Sequence, residues 1–166
     1  MQEIKIHLAR EVPADYWEVE ALYDLTFAPG RTALSSYRLR EGVNPLPSLC
    51  LTARDPDGVL AGVVRCWPVR VEAAPTVLLG PIAVHPTRQG EGIAALVMMN
   101  CIDAARRDNW DRILLVGDYP YYGRFGFAPL DGVVMPPPTN PKRVLGLALT
   151  AGAWDGITGR VLPVSD

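Results

Sequence analysis

The chain has 166 residues, enough for one well-packed domain and short for two. Acidic and basic side chains nearly cancel, leaving a formal net charge of −2, which argues against nucleic acid as a partner, since that binding leans on clustered Lys and Arg. No apolar run approaches the ~20 residues that span a bilayer, and MQEIKIHLAR lacks the basic-then-apolar form of a signal peptide, so a cytoplasmic protein with no membrane partner is expected.

In chain order, Ile4, Ile6 and Leu8 alternate with polar neighbours and predict a first strand. Pro13 and Asp15 open a helix carrying Trp17, Leu22, Tyr23 and Leu25, which Ala28-Pro29-Gly30 stops. A shorter helical piece over 32–40 carries Tyr37, Arg38 and Arg40, and the prolines of 44–48 mark a loop. Strands over 49–53 and 59–71 flank the turn Asp55-Pro56-Asp57-Gly58 and form a hairpin. A fourth strand covers 76–84, with Pro68 and Gly80 marking edges or bulges in this pair. A helix follows, placing Ile93, Leu96, Val97, Cys101 and Ala104 on one face, with Asn100 intruding on it toward a backbone group or a ligand. The fifth strand, 112–117, contains Ile113-Leu114-Leu115-Val116, a short run buried on both faces. Residues 118–127 form an aromatic-rich turn or short helix, Pro136-Pro137-Pro138 starts a loop, and 144–149 is the last clear strand. Neither a repeat nor a long linker divides the chain, so residues 1–166 are expected to form a single domain.

The three cysteines, Cys50, Cys66 and Cys101, are odd in number and widely spaced, as free thiols in a reducing compartment are. Cys66 and Cys101 fall on apolar patterns and are expected to pack in the core. Without a CxxC pair or a histidine cluster, no metal site is expected.

Chemistry concentrates in VHPTRQGEGIAALVMMN, residues 84–100. An apolar strand ends there, a basic and glycine-containing turn follows, and a helix opens at once. The glycines of Gln89-Gly90-Glu91-Gly92-Ile93-Ala94 permit positive φ and close approach of the backbone to a ligand. The first helical amides have no intrahelical partner and lie at the positive end of the helix dipole, an arrangement that holds phosphate. Arg88 adds charge nearby. A P-loop would end in Gly-Lys-Ser/Thr, and Ile93-Ala94 stands there instead; a Rossmann turn would carry a third glycine. Taken alone, the turn reads equally well as a plain strand-to-helix connection.

Its context is more specific. Q-x-x-G-x-A after a strand ending in Val-His-Pro resembles the acyl-coenzyme A signature of the GNAT superfamily of N-acetyltransferases, and Tyr122-Gly123-Arg124-Phe125-Gly126-Phe127 is similar to that superfamily's Y-x-x-x-G-F segment. The likeness is strong over residues 78–127 and looser on either side, and GDYPYYGRFGF looks like a bacterial branch whose substrates are mostly unassigned. The resemblance implies an α+β fold, a mixed and mostly antiparallel central sheet flanked by helices. It also implies transfer of an acetyl group from acetyl-CoA to a primary amine by direct attack on the thioester.

By that resemblance, strand amides at Ala83 and Val84 hold the pantetheine arm, one near Val84 also receiving the oxyanion. The amides of Gly90, Gly92, Ile93 and Ala94 hold the pyrophosphate, flanked by Arg88 and Gln89. Tyr122 matches the position that protonates the departing thiolate, while Tyr119 and Tyr121 are expected to pack the turn. Many relatives keep a carboxylate on the fourth strand, and TVLLGPIAV has none. Asp118 is then the leading general base, although its side chain serves equally as a cap for the following turn. Glu72 is second, and His85 is set aside as a structural plug. Arg31, Tyr37, Arg38 and Trp67 fall in the region that lines the acceptor cleft of relatives, where arginines suit a carboxylate or phosphate on the acceptor. The acceptors compatible with this are small-molecule or peptide amines: small amines, amino acids, antibiotics, peptide N-termini and lysine side chains. The alternative from another class is a non-catalytic acyl-CoA sensor or interaction domain of the same fold. An exposed sheet edge or the C-terminal strand would support a homodimer.

Overall fold

The computed structural model describes residues 5–27, 31 and 34–164, so Ile4, the Ala28-Pro29-Gly30 stop and Thr32 lie outside the described residues. Strand β1 (His7–Arg10) forms one edge and pairs antiparallel with β2 (Leu51–Arg54). β2 begins two residues later than expected because Pro47–Leu49 winds into a 3-10 turn that ends in a bond from the Cys50 amide to the Pro47 carbonyl. β3 (Leu60–Val71) and β4 (Ala74–Val84) make the long antiparallel pair at the centre. The path continues through β5 (Arg112–Val116), parallel to β4, then β8 (Val144–Ala148) and the two-residue β6 (Ala128–Pro129), both antiparallel. The fold is α+β, with a mixed, mostly antiparallel sheet.

The glycine-containing tail, which carries no strand pattern, supplies β9 (Gly159–Pro163). Its residues pair with Val69, Arg70 and Val71 of β3, beyond the reach of β2, and its other edge takes the parallel β7 (Val133–Val134). The C-terminal strand is therefore used within the chain. Pro68 falls in the gap between β2 and β9, where β3 has no partner on that side and a missing N–H leaves no ladder bond unmade.

Helix α3 (Ile93–Arg107) covers one face of the sheet. Its Val97, Met98, Cys101 and Ala105 are fully buried against Val64, Cys66, Val77, Ile113 and Leu115. Each large apolar side chain so removed from water contributes about 1.5–3 kcal/mol. Asn100 bonds within the helix, donating to the Leu96 carbonyl at 2.8 Å. The other face carries α1 (Tyr16–Thr26), whose Val19, Leu22 and Tyr23 bury against Leu60, Val63 and Ala83, and the single-turn α2 (Ser35–Arg38). All three cysteines are buried as free thiols, with the Cys66 and Cys101 sulfurs 3.4 Å apart, and burial pushes the Cys50 thiol up to about 11. None of the helices in the described residues is long and apolar enough to cross a membrane.

Candidate active site

β4 and β5 pair only at Val77–Ile113 and Leu78–Leu114. Beyond Leu79 the strands diverge, and the cause lies in β4. Cys66 faces Leu79 while Val64 faces Ile82, so Arg65 alone stands opposite Gly80 and Pro81. This bulge bends the strand toward β3. Tyr23 of α1 holds the bend by donating its hydroxyl to the Pro81 carbonyl at 2.7 Å. At the opening lies a cavity of about 510 Å3 whose lining includes Leu79, Ile82 and Tyr122, which pack with the α3 core, and Phe27, Arg31 and Tyr37 on the α1 side.

The diverging stretch of β4 offers backbone groups to this opening. The His85 amide donates to the Ala61 carbonyl at 2.8 Å, which fixes the phase of the ladder. Alternation in an antiparallel pair then turns the N–H and C=O of Val84 and Ile82 away from β3 and gives those of Ala83 to β3. Of the two strand residues marked from the sequence, Val84 has its amide turned away from β3. Ile82, which no motif marks, shares that orientation and lines the cavity.

The turn after β4 leads straight into α3. Gly90 and Gly92 adopt φ of 82° and 81°, a left-handed pair that a side chain would strain. Gly92 is the N-cap, and with the first intrahelical bond running from the Leu96 amide to the Gly92 carbonyl, the amides of Ile93 and Ala94 have no helical partner. Gln89 closes the turn, its side-chain amide donating to the Val84 carbonyl at 3.1 Å. Arg88 is held by Glu91 inside the loop (2.7 and 3.0 Å) and by Asp55 of the β2–β3 turn (3.2 Å). His85 acts as a local plug, Nδ1 accepting from the Thr87 amide at 3.2 Å.

The short helix α4 (Tyr119–Tyr122) follows β5 and sets Tyr122 on the cavity wall. Gly117 makes the seat: a Cβ there would meet Tyr122 Cδ2 at 2.7 Å and Cε2 closer still. The ring of Tyr122 lies edge-on to Tyr121 (4.9 Å) and Phe127 (6.2 Å). No hydrogen bond ties its hydroxyl to another described residue. Burial pushes the phenol up to about 12, with Tyr121 and Asp118 acting in the same direction and Arg143 against them. Tyr119 is exposed, and Tyr121 packs against Phe125.

Asp118 also lines the cavity, but it does not cap α4 through its side chain: the Tyr122 amide bonds to the Asp118 carbonyl instead. Its carboxylate pairs with Arg143 at 3.2 Å, both side chains about half or more exposed. Arg143 reaches this rim because its carbonyl accepts from the Gly117 amide, which ties the start of β8 to the end of β5. No motif marks it. Glu72 lies in the β3–β4 turn, at the other end of β4 from the opening, and pairs with Arg160.

Of the four residues expected to line an acceptor cleft, the structure brings Arg31 and Tyr37 to the cavity and leaves Arg38 and Trp67 out of its lining. Arg38 is exposed on α2. Trp67 is buried, donates to the Val43 carbonyl at 3.2 Å, and stacks on Arg40, whose other face meets Tyr37. Arg31 is buried and heavily committed, donating to Asp24 (3.0 Å), Glu20 (3.1 Å) and the Tyr37 hydroxyl (2.5 Å). Glu20 in turn accepts from Arg65 at 2.5 Å, and Arg65 grips Glu11 with two bonds. Burial works against the Glu20 charge, yet the bonds from Arg65 and Arg31 hold its carboxyl below the usual range. Among the described residues no group of three or more His, Cys, Asp or Glu is placed to hold a metal.

Comparison with known proteins adds the lineage. Residues 16–127 match the acetyltransferase (GNAT) family. A protein of Escherichia coli strain K12, the uncharacterized N-acetyltransferase YhbS, is 29% identical over 119 residues, 70% of each chain. The structure of Escherichia coli YhbS in complex with CoA superposes with a TM-score of 0.83 at 26% identity, covering 98% of this chain and 92% of that one. A GNAT family acetyltransferase from Brucella melitensis, in complex with acetyl-CoA, shares the fold at a TM-score of 0.74, with 24% identity and 98% coverage of both chains. The match spans more than half of the chain and includes both the glycine turn and the Tyr122 segment: the chain is an acetyltransferase and belongs to the GNAT family.

Proposed function

We propose that the protein, acting as one domain over residues 1–166, transfers an acetyl group from acetyl-CoA to a primary amine. The Tyr122 phenol protonates the departing thiolate. The observation that carries this is the cavity itself, lined by residues from both faces of the sheet with the buried Tyr122 ring on its wall. Donor and acceptor enter from opposite sides. The Ile82 and Val84 amides pair with the pantetheine arm as an added strand would, and the amides of Gly90, Gly92, Ile93 and Ala94 take the pyrophosphate. Gln89 and Arg88 hold the loop in that shape. The amine nitrogen attacks the thioester carbon, the C–S bond breaks, and the sulfur takes the proton of Tyr122. An alkylamine of pKa ~10.4 must first lose a proton, which costs about 4–5 kcal/mol at pH 7. Asp118, on the cavity wall, receives that proton directly or through water.

Free-thiol release from acetyl-CoA across a panel of amines tests this reading, with Tyr122→Phe beside the wild type. The variant is expected to lose about 10²-fold or more in kcat while its affinity for acetyl-CoA changes less than about threefold. Full turnover by Tyr122→Phe with tight coenzyme binding would remove the role given to Tyr122. Binding without turnover for every acceptor would mark a sensor instead of an enzyme.

A further inference from the structure

We infer that the acceptor is a zwitterion, a free α-amino acid with an apolar side chain, recognised by the Asp118–Arg143 pair; this rests on the acetyl-transfer reading above. Three charged groups line the cavity: Arg31, Asp118 and Arg143. Arg31 is 8% exposed, and each of its nitrogens donates to Glu20, Asp24 or Tyr37, so an acceptor's anion finds that cation already neutralised. The hydroxyls of Ser35 on α2 and Thr139 in the loop above it are likewise tied to each other, Thr139 Oγ1 lying 2.6 Å from Ser35 Oγ and 2.8 Å from the Pro136 carbonyl.

Asp118 and Arg143 differ from these. They pair through one contact at 3.2 Å, with side chains 67% and 49% exposed, at the rim where the cavity meets solvent. A pair this exposed is weak and exchanges partners readily. Opening it presents an anion and a cation side by side, and the ligand that satisfies both is one with an ammonium and a carboxylate on adjacent atoms. Ammonium on Asp118 and carboxylate on Arg143 leave neither protein charge unpaired. Asp118 is then also the group beside the nitrogen that must lose a proton. A large part of the remaining wall, including Phe27, Leu78, Pro81, Ile82 and Val116, is apolar and takes an apolar side chain.

Acetyl transfer to L-phenylalanine and L-leucine is measured against phenylalaninamide, phenethylamine, isoamylamine and spermidine, for the wild type, Arg143→Gln and Arg143→Lys. The amino acids are expected to exceed their amides and decarboxylated amines at least tenfold in kcat/KM. Arg143→Gln brings that ratio to about one, and Arg143→Lys restores part of it. The Arg143 side chain is half exposed and its backbone carries the bond to Gly117, so these variants keep the fold. Equal or better use of the amide, the amines or spermidine, or an unchanged ratio in Arg143→Gln, overturns the zwitterion while leaving acetyl transfer intact. Tight acetyl-CoA binding with no product from any amine overturns both.

Discussion

Replacing Gly117 with alanine tests whether Tyr122 works by position. The added Cβ would lie 2.7 Å from Tyr122 Cδ2, where ordinary contact begins near 3.4 Å, and 3.3 Å from Leu115 Cδ1. The ring must retreat by at least about 0.7 Å at Cδ2, and its hydroxyl, farther out on the same lever, swings by about 1 Å. A displacement of that size at a reacting group costs about 10² in rate, equivalent to about 2.7 kcal/mol. Overpacking adds about 1–3 kcal/mol of destabilisation, a fall in Tm of about 2–12 °C. The assay is thiol release at saturating acetyl-CoA, in the wild-type and Tyr122→Phe backgrounds, with coenzyme affinity measured by calorimetry. Gly117→Ala is expected to lower kcat about 100-fold in the first background and less than threefold in the second, because it acts through a hydroxyl already removed. Equal losses in both backgrounds, or full turnover by a variant whose Tm has fallen, would refute the reasoning.

Arg88 is bonded to Glu91, which lies in the loop that would hold a pyrophosphate. Arg88→Ala is expected to weaken acetyl-CoA binding about three- to tenfold, less at high salt, and adding Glu91→Gln to recover most of it; a double variant as weak as the single one would mean that Arg88 touches the ligand directly. Arg65 is 7% exposed and bridges Glu11 and Glu20, so Arg65→Ala strands Glu11, leaves Glu20 to Arg31 alone and is expected to cost about 3–5 kcal/mol, seen as a Tm lowered by about 6–20 °C. Tyr122 donates only while protonated, and burial raises its pKa from the ordinary 10 to about 12. Activity should therefore rise with pH until the amine is neutral, above about pH 10, and fall only as pH approaches 12. A descending limb below pH 9 would assign proton donation to another group.

The elements that carry a complete local signal were legible in the sequence. Ile93–Arg107 shows its 3.6-residue pattern behind a glycine cap, and Ile113–Val116 reads as a doubly covered strand. β9 was not legible, because Gly159–Pro163 becomes a strand only through partners about 90 residues away on β3. The same holds for the cavity wall. Arg143 reaches the site through pairing between β5 and β8, and Trp67, one alternation from its neighbours, falls against Arg40 and away from the cavity. Motifs marked the donor loop since its chemistry is local backbone geometry. What faces it is set by register.

The two-pair contact between β4 and β5 has a consequence for how the protein melts. It leaves the sheet as two panels, β1 to β4 on one side and β5, β8 and β6 on the other, seamed at Val77–Ile113 and Leu78–Leu114. A ligand lying along the opening touches both panels and becomes part of the seam. Unfolding either panel then forfeits the ligand, so occupancy adds a further link between two regions that α3 and two strand pairs already join. At 100 times its Kd such a ligand adds about 2.7 kcal/mol to the folded state. Amide exchange should slow together in β4, β5 and β8, though no residue of β8 itself lines the cavity.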